Sequence, residues 1–157
     1  MSIRSLGLDR YADRVPLSRP PFVTMLRRAA MLQCAWCGNR PGFLRGWFHR
    51  HGECQHCGLS VQRGEDGFEL GAATVNVMFT LCALIVAAAI PIVVTYPQVD
   101  AGQLIAVLGV VAVILPIVLY PFSFTIWFAV ELLMDPPSVS ALVAADRWIA
   151  DNLALNA

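Results

Sequence analysis

Four cysteines in two matching motifs are the residues of this chain best suited to chemistry. The first motif is Cys34-Ala35-Trp36-Cys37-Gly38. Sixteen residues separate Cys37 from the first cysteine of the second motif, Cys54-Gln55-His56-Cys57-Gly58. Two cysteines three positions apart on a tight turn can direct both sulfurs at one ion, and the glycine that follows tolerates a positive φ. Two such turns complete a closed tetrahedron, so a structural Zn²⁺ is predicted on Cys34, Cys37, Cys54 and Cys57.

Other uses of the four thiols are less favoured. Disulfides are disfavoured on a reducing cytoplasmic face, and a thioredoxin-like pair would need a βαβ context that is absent. Iron in a rubredoxin-like site uses the same four thiolates and stays open as an alternative. Because protein ligands fill all four positions, none remains for water or substrate, and the chain is predicted not to be an enzyme.

The stretch between the motifs contains Phe43-Leu44-Arg45 and Trp47-Phe48-His49, a pattern that predicts a short β-hairpin. Residues 34–65 are therefore predicted to form a zinc ribbon. A unit of this size cannot bury an adequate core, so the metal is expected to supply part of its stability. The nearby His49, His51 and His56 are predicted to be solvated, because four cysteines already complete the site.

The composition indicates a membrane protein, since 57% of the residues are hydrophobic and only 14% are charged. Thirty residues without a formal charge run from Leu70 to Val99, and thirty more run from Ala101 to Val130. Each run exceeds the roughly 20 residues that cross a bilayer. Transmembrane helices are predicted at 70–96 and 104–131, joined by an external hairpin loop at 97–103. The runs contain no Asp, Glu, Lys, Arg or His, so the chain alone is neither a channel nor a pump.

The distribution of charge predicts the orientation. Residues 1–70 contain ten Arg and six acidic residues, whereas residues 71–157 contain one Arg and five acidic residues. The loop at 97–103 has no Arg, so the positive-inside rule places the ribbon and both termini in the cytoplasm. The predicted location is the bacterial plasma membrane, with more than one pass.

The flanking segments complete the predicted architecture. Apolar stripes predict amphipathic helices at 20–33 and 138–155, the first lying on the inner membrane surface or docked on the ribbon or a partner. Residues 1–19 are predicted to be an irregular arm that orders only when something binds it. The fold class is thus a membrane all-α protein, a two-helix transmembrane hairpin with a small β zinc ribbon.

This order of parts resembles a family of small bacterial membrane proteins of undefined function, whose genes often lie near those for cytochrome c oxidase and its assembly factors. The resemblance covers roughly residues 25–127. The residues that carry it are Cys34, Cys37, Gly38, Cys54, Cys57 and Gly58, with Asp66-Gly67 ahead of the first span. The family usually has Pro after the first cysteine, and Ala35 departs from that pattern without affecting ligation.

The resemblance implies a non-catalytic accessory or assembly subunit of an aa3-type cytochrome c oxidase in the respiratory chain. The bcc–aa3 supercomplex of high-GC bacteria is the implied setting, with membrane lipid and core oxidase subunits as partners. The alternatives are a membrane-tethered zinc-ribbon binding protein and a metal or redox chaperone unrelated to the oxidase. Nucleic acid is not an expected partner, because residues 34–65 contain only four Arg against two Glu. No small-molecule substrate is expected.

Overall fold

Helices account for most of the chain in the structure, a computed structural model that describes residues 11, 15, 17–61, 67–96, 98 and 100–155. They are α1 (Phe22–Ala30), α2 (Phe68–Thr95), α3 (Ala101–Met134) and α4 (Val139–Leu155). The segment from 34 to 61, here called the cysteine module, lies between α1 and α2. Asp66 of the Asp-Gly pair and most of the arm at 1–19 lie outside the described residues.

The two long helices α2 and α3 pack against each other as an antiparallel hairpin. Asp100 caps the start of α3, because its carboxylate accepts hydrogen bonds from the backbone N–H groups of Gly102 at 2.9 Å and Gln103 at 3.3 Å. Both helices are long and apolar enough to cross a membrane. Only 6% of the most apolar window of each is buried inside the chain, which is unlike a core helix of a soluble protein.

Side chains from elsewhere in the chain bind two successive backbone carbonyls of α3, one of which a proline leaves free. Pro121 has no N–H to donate to the carbonyl of Ile117, and the indole Nε1 of Trp47 donates to that oxygen at 2.7 Å. One residue earlier, the Nδ2 of Asn76 on α2 donates to the carbonyl of Pro116 at 3.0 Å. This turn of α3 is therefore fastened both to α2 and to the cysteine module.

Burial changes abruptly along α3. No residue from 101 to 118 is buried, whereas no residue from 121 to 132 is exposed. The covered half packs on the cysteine module through aromatic rings, with Phe43 meeting Phe128 edge-on at 5.4 Å between centroids and Phe48 meeting Tyr120 at 5.3 Å. Much of the segment expected to cross the membrane at 104–131 is thus the core on which the module rests.

The short helix α1 also packs on the covered half of α3. Met25 and Ala29 are fully buried, and the hydroxyl of Thr125 on α3 donates to the carbonyl of Ala29 at 2.9 Å. The expected positions of this amphipathic helix were the membrane surface, the ribbon or a partner, whereas the structure packs it on α3. Phe22 and Val23 stay exposed on the opposite face.

Helix α4 buries Leu142, Ala145 and Ile149. Gly58 of the cysteine module lies directly beneath the backbone of Ala145. Tyr11 and Val15 of the N-terminal arm are buried as well. The cysteine module is therefore covered both by a segment that precedes it in sequence and by one that follows it.

The predicted β-hairpin is not confirmed, since no strand is found among the described residues. The backbone there forms only two isolated antiparallel bridges, Leu44 with Arg50 and Glu53 with Ser60. The reason is tertiary packing, because the chain between Leu44 and Arg50 is held by α3 as much as by its own hydrogen bonds. Its aromatic residues pack on α3 instead of extending a ladder.

We expect Gly71→Ala to destabilise the helical hairpin by about 1–3 kcal/mol, the range for overpacking. A Cβ at position 71 would meet the indole of Trp127 on α3. Gly109→Ala on α3 is the matched control, because a Cβ there meets nothing within 4 Å. SDS titration of the purified protein measures the effect, and the double variant Gly71→Ala/Trp127→Leu should recover stability. A Gly71→Ala protein as stable as the control would contradict this packing.

Candidate metal centre

The two cysteine motifs fold into two turns with the same hydrogen bonds. In the first, the N–H of Gly38 donates to the carbonyl of Cys34 at 2.8 Å, and the N–H of Cys34 donates to Asn39 at 3.1 Å. In the second, Gly58 donates to Cys54 at 2.8 Å and Cys54 donates to Leu59 at 3.0 Å. This repetition in space follows from the repetition of C-x-x-C-G in sequence.

The glycine that ends each turn is required by backbone geometry. Gly38 has φ +80° and Gly58 has φ +65°, a region that residues with a Cβ rarely adopt. The turned backbone brings the second cysteine of each motif back beside the first. Both motifs therefore present a pair of sulfurs toward a common centre.

All four sulfurs meet at that centre. The Sγ atoms of Cys34 and Cys57 are 3.9 Å apart, as are those of Cys37 and Cys54, and all four lie within 4.8 Å of one another. A tetrahedral site with metal–sulfur bonds near ~2.3 Å has sulfur–sulfur edges of about 3.8 Å. The cysteines carry no disulfide. This geometry can bind a metal ion, and three of the four cysteines are buried.

The protonation of the thiols shows why a cation fits. Hydrogen bonding with Cys34, and then with Cys37 and Cys57, lowers the pKa of the Cys54 thiol. Hydrogen bonding with Cys34, and then with the other two sulfurs, raises the pKa of Cys57. A proton retained on one sulfur thus stabilises the thiolate beside it, and four thiolates in one cluster would require a positive ion between them.

Two side chains from outside the module donate hydrogen bonds to backbone carbonyls of its two turns. The guanidinium of Arg28 on α1 donates to the carbonyls of Trp36 at 2.6 Å and Ala35 at 3.3 Å. The hydroxyl of Tyr11 donates to the carbonyl of Cys57 at 3.0 Å. Burial, and then the charge of Cys57, raises the pKa of Tyr11, so this hydroxyl remains a protonated donor.

The sequence missed both supporting residues. Arg28 belongs to the predicted amphipathic helix at 20–33, and its position six residues before Cys34 is the one signal of its role. Tyr11 lies 46 residues from its partner, in a segment without a recognisable pattern. Such contacts depend on tertiary placement.

The remaining candidates lie outside the cluster, which contains the four cysteines and none of the three histidines. His49 and His56 are exposed and His51 is half-buried. The fifth cysteine, Cys82, is not part of the cluster. It is exposed on α2, on the surface that the hairpin turns outward.

Comparison of the chain with protein-family models, curated proteins and solved structures finds no match. The four-cysteine cluster and the two apolar helices fit a zinc-ribbon membrane protein.

We expect Cys54→Ser to remove bound metal and to make residues 30–65 sensitive to protease, because structural metal binding in units of this size is worth about 10 kcal/mol or more. Metal content by mass spectrometry and limited proteolysis measure the two effects. Cys82→Ser is the matched control, since Cys82 lies outside the cluster. Equal protease resistance in the two variants would contradict a metal-dependent fold.

We expect Gly58→Ala to release α4, because a Cβ at this position would meet the carbonyl oxygen of Ala145. The left-handed backbone alone costs about 1–2 kcal/mol. Arg147 is the only Arg or Lys after residue 70, so trypsin cleavage there reports opening of α4. Its rate should rise about tenfold or more.

Gly52→Ala is the control for this experiment, because a Cβ at position 52 meets nothing within 4 Å. If Gly58→Ala and Gly52→Ala are cleaved at Arg147 at the same rate, α4 does not rest on the second cysteine turn.

Proposed function

We propose that this chain is a two-span integral-membrane protein whose cysteine module, closed around a structural Zn²⁺, is a non-catalytic docking module on the cytoplasmic face. The observation that carries the proposal is the cluster of four sulfurs within 4.8 Å, built on one end of a membrane-capable hairpin. Zn²⁺ is commonly bound by a closed set of four thiolates in structural sites, and it has no redox chemistry of its own.

A docking role is supported by what the hairpin leaves uncovered. Residues 77–94 of α2 and 105–118 of α3 expose many large apolar side chains. Lipid or other transmembrane helices would cover this surface. Residues 87–89 are all Ala, and such small side chains let a neighbouring helix approach closely. A non-catalytic subunit within a larger membrane complex has use for such a surface.

The partner in this proposal is a respiratory cytochrome c oxidase of the aa3 type, and its support is the resemblance of the chain to the family encoded near oxidase genes. Within such a complex the chain would act as an accessory or assembly subunit. The orientation, with both termini in the cytoplasm, is supported by the concentration of Arg before residue 71.

We expect a tagged chain purified from its native membranes in mild detergent to carry one Zn²⁺ and to bring haem-containing oxidase subunits with it. Metal analysis, the haem absorption spectrum and protein identification by mass spectrometry measure these outcomes. Cys82→Ser should retain both properties, whereas Cys54→Ser should lose the zinc and, with the folded module, the partner.

The outcomes separate the parts of the proposal. Iron in place of zinc would overturn the choice of metal. A colourless chain that elutes alone would overturn the oxidase assignment while leaving the metal centre intact. Rapid alkylation of the four cysteines in the metal-loaded protein would indicate an exchangeable site and contradict a structural one.

A further inference from the structure

A short segment of the cysteine module presents aromatic rings outward. Every residue from Arg45 to His49, here called the tip, is exposed, including Trp47 at 45% and Phe48 at 58%. Exposed aromatic side chains of this size are depleted from ordinary protein surfaces unless something covers them.

The tip is fixed in place by α3. The indole N–H of Trp47 is hydrogen-bonded to the Ile117 carbonyl that Pro121 leaves free, and the ring of Phe48 packs on Tyr120. The exposed faces of both rings are therefore held at one level of the molecule. That level is where α3 passes from its fully uncovered half to its covered half.

The length of the hairpin beyond the tip matches a bilayer. Residues 101–116 of α3 span about 24 Å at the α-helical rise of ~1.5 Å per residue. On α2, Asn76 lies opposite Pro116, so residues 77–95 continue beyond the tip for about 28 Å. The hydrocarbon core of a bilayer is ~30 Å thick. A bilayer that begins at the tip just covers these segments.

Charge prevents the hydrocarbon from extending further along α3. Arg50 forms an ion pair with Glu69 of α2, and its guanidinium lies 4.3 Å from the ring centre of Phe124. Along the hairpin, the tip lies between this ion pair and the loop that joins α2 to α3. An ion pair with half-exposed partners belongs in water or among headgroups, because transfer into hydrocarbon is costly.

We propose that the tip, Arg45 to His49, is a membrane-interface site that inserts the rings of Trp47 and Phe48 among the headgroups of a phospholipid bilayer. Indole rings prefer this layer, and Arg45 beside them carries the charge that pairs with lipid phosphates. The occupant is lipid because the tip is continuous with the uncovered apolar surface of the hairpin. The inference rests on the membrane insertion in the proposed function, and it limits the crossing part of α3 to its first half.

Fluorine NMR of the full chain tests this placement. The protein is labelled with 5-fluorotryptophan and reconstituted in nanodiscs of phosphatidylcholine and phosphatidylglycerol, and the signals of its four Trp residues are assigned by single Trp→Phe variants. Three paramagnetic probes are compared, namely a nitroxide on the lipid headgroup, a nitroxide near the end of the acyl chain and a gadolinium chelate in water. Trp36, which is 2% exposed, is the internal reference.

We expect the headgroup nitroxide to cause the largest loss of Trp47 signal among the three probes, relative to Trp36. The largest loss with the aqueous chelate would place the tip in water, and the largest loss with the acyl-chain nitroxide would place it in hydrocarbon. Protection of Trp47 from all three would mean that a protein, such as a second copy of the chain, covers the tip. Each of these three results would overturn the inference.

Failure of the proposed function is visible separately. Retention of the chain in carbonate-washed bacterial membranes tests insertion of the hairpin without reference to the tip. A retained chain whose Trp47 responds only to the aqueous chelate would overturn the inference alone. A chain released by carbonate would overturn the insertion on which both depend.

Discussion

Repulsion among four sulfur atoms within 4.8 Å of one another is the constraint on which the rest of the cysteine module depends. The sulfurs can hold their negative charge together only around a cation, and without it protons must remain on some of them. The cluster in turn fixes the two turns that contain it. Against those turns lie α1 through Arg28, the arm through Tyr11 and α4 through Ala145. A module with so few residues gains a core by recruiting these segments.

The second determinant is the division of one continuous helix between two environments. α3 is apolar over nearly its whole length, so composition gives no sign that its surroundings change. The change comes from the partners, because aromatic residues of the module cover the half after Pro121 and leave the half before it bare. The proline matters here for a local reason. It exposes a carbonyl that an indole from the module can reach, and so it couples the end of the covered half to the module.

Predictability from sequence follows the range of the interactions. The clustering of Cys34, Cys37, Cys54 and Cys57 could be predicted because each pair is set by a local turn, and the pairing of α2 with α3 because a short connection leaves few alternatives. The β-hairpin stays unconfirmed, because the structure has only isolated bridges there, and the residue types of Trp47 and Phe48 suit a strand as well as a surface that packs on α3. The roles of Tyr11 and Arg28 depend on tertiary contacts, which cannot be predicted from the hydrophobic periodicity of the sequence.

The close approach of Gly58 to the backbone of Ala145 has a consequence for the order of assembly during synthesis. The cysteine module is complete in the nascent chain after residue 61, whereas α4 follows only after both long helices have been made. The surface of the module that α4 covers therefore stays open while roughly eighty further residues are synthesised. Because all four cysteines precede residue 61, the ion can bind before α4 is made, and α4 covers the second cysteine turn last.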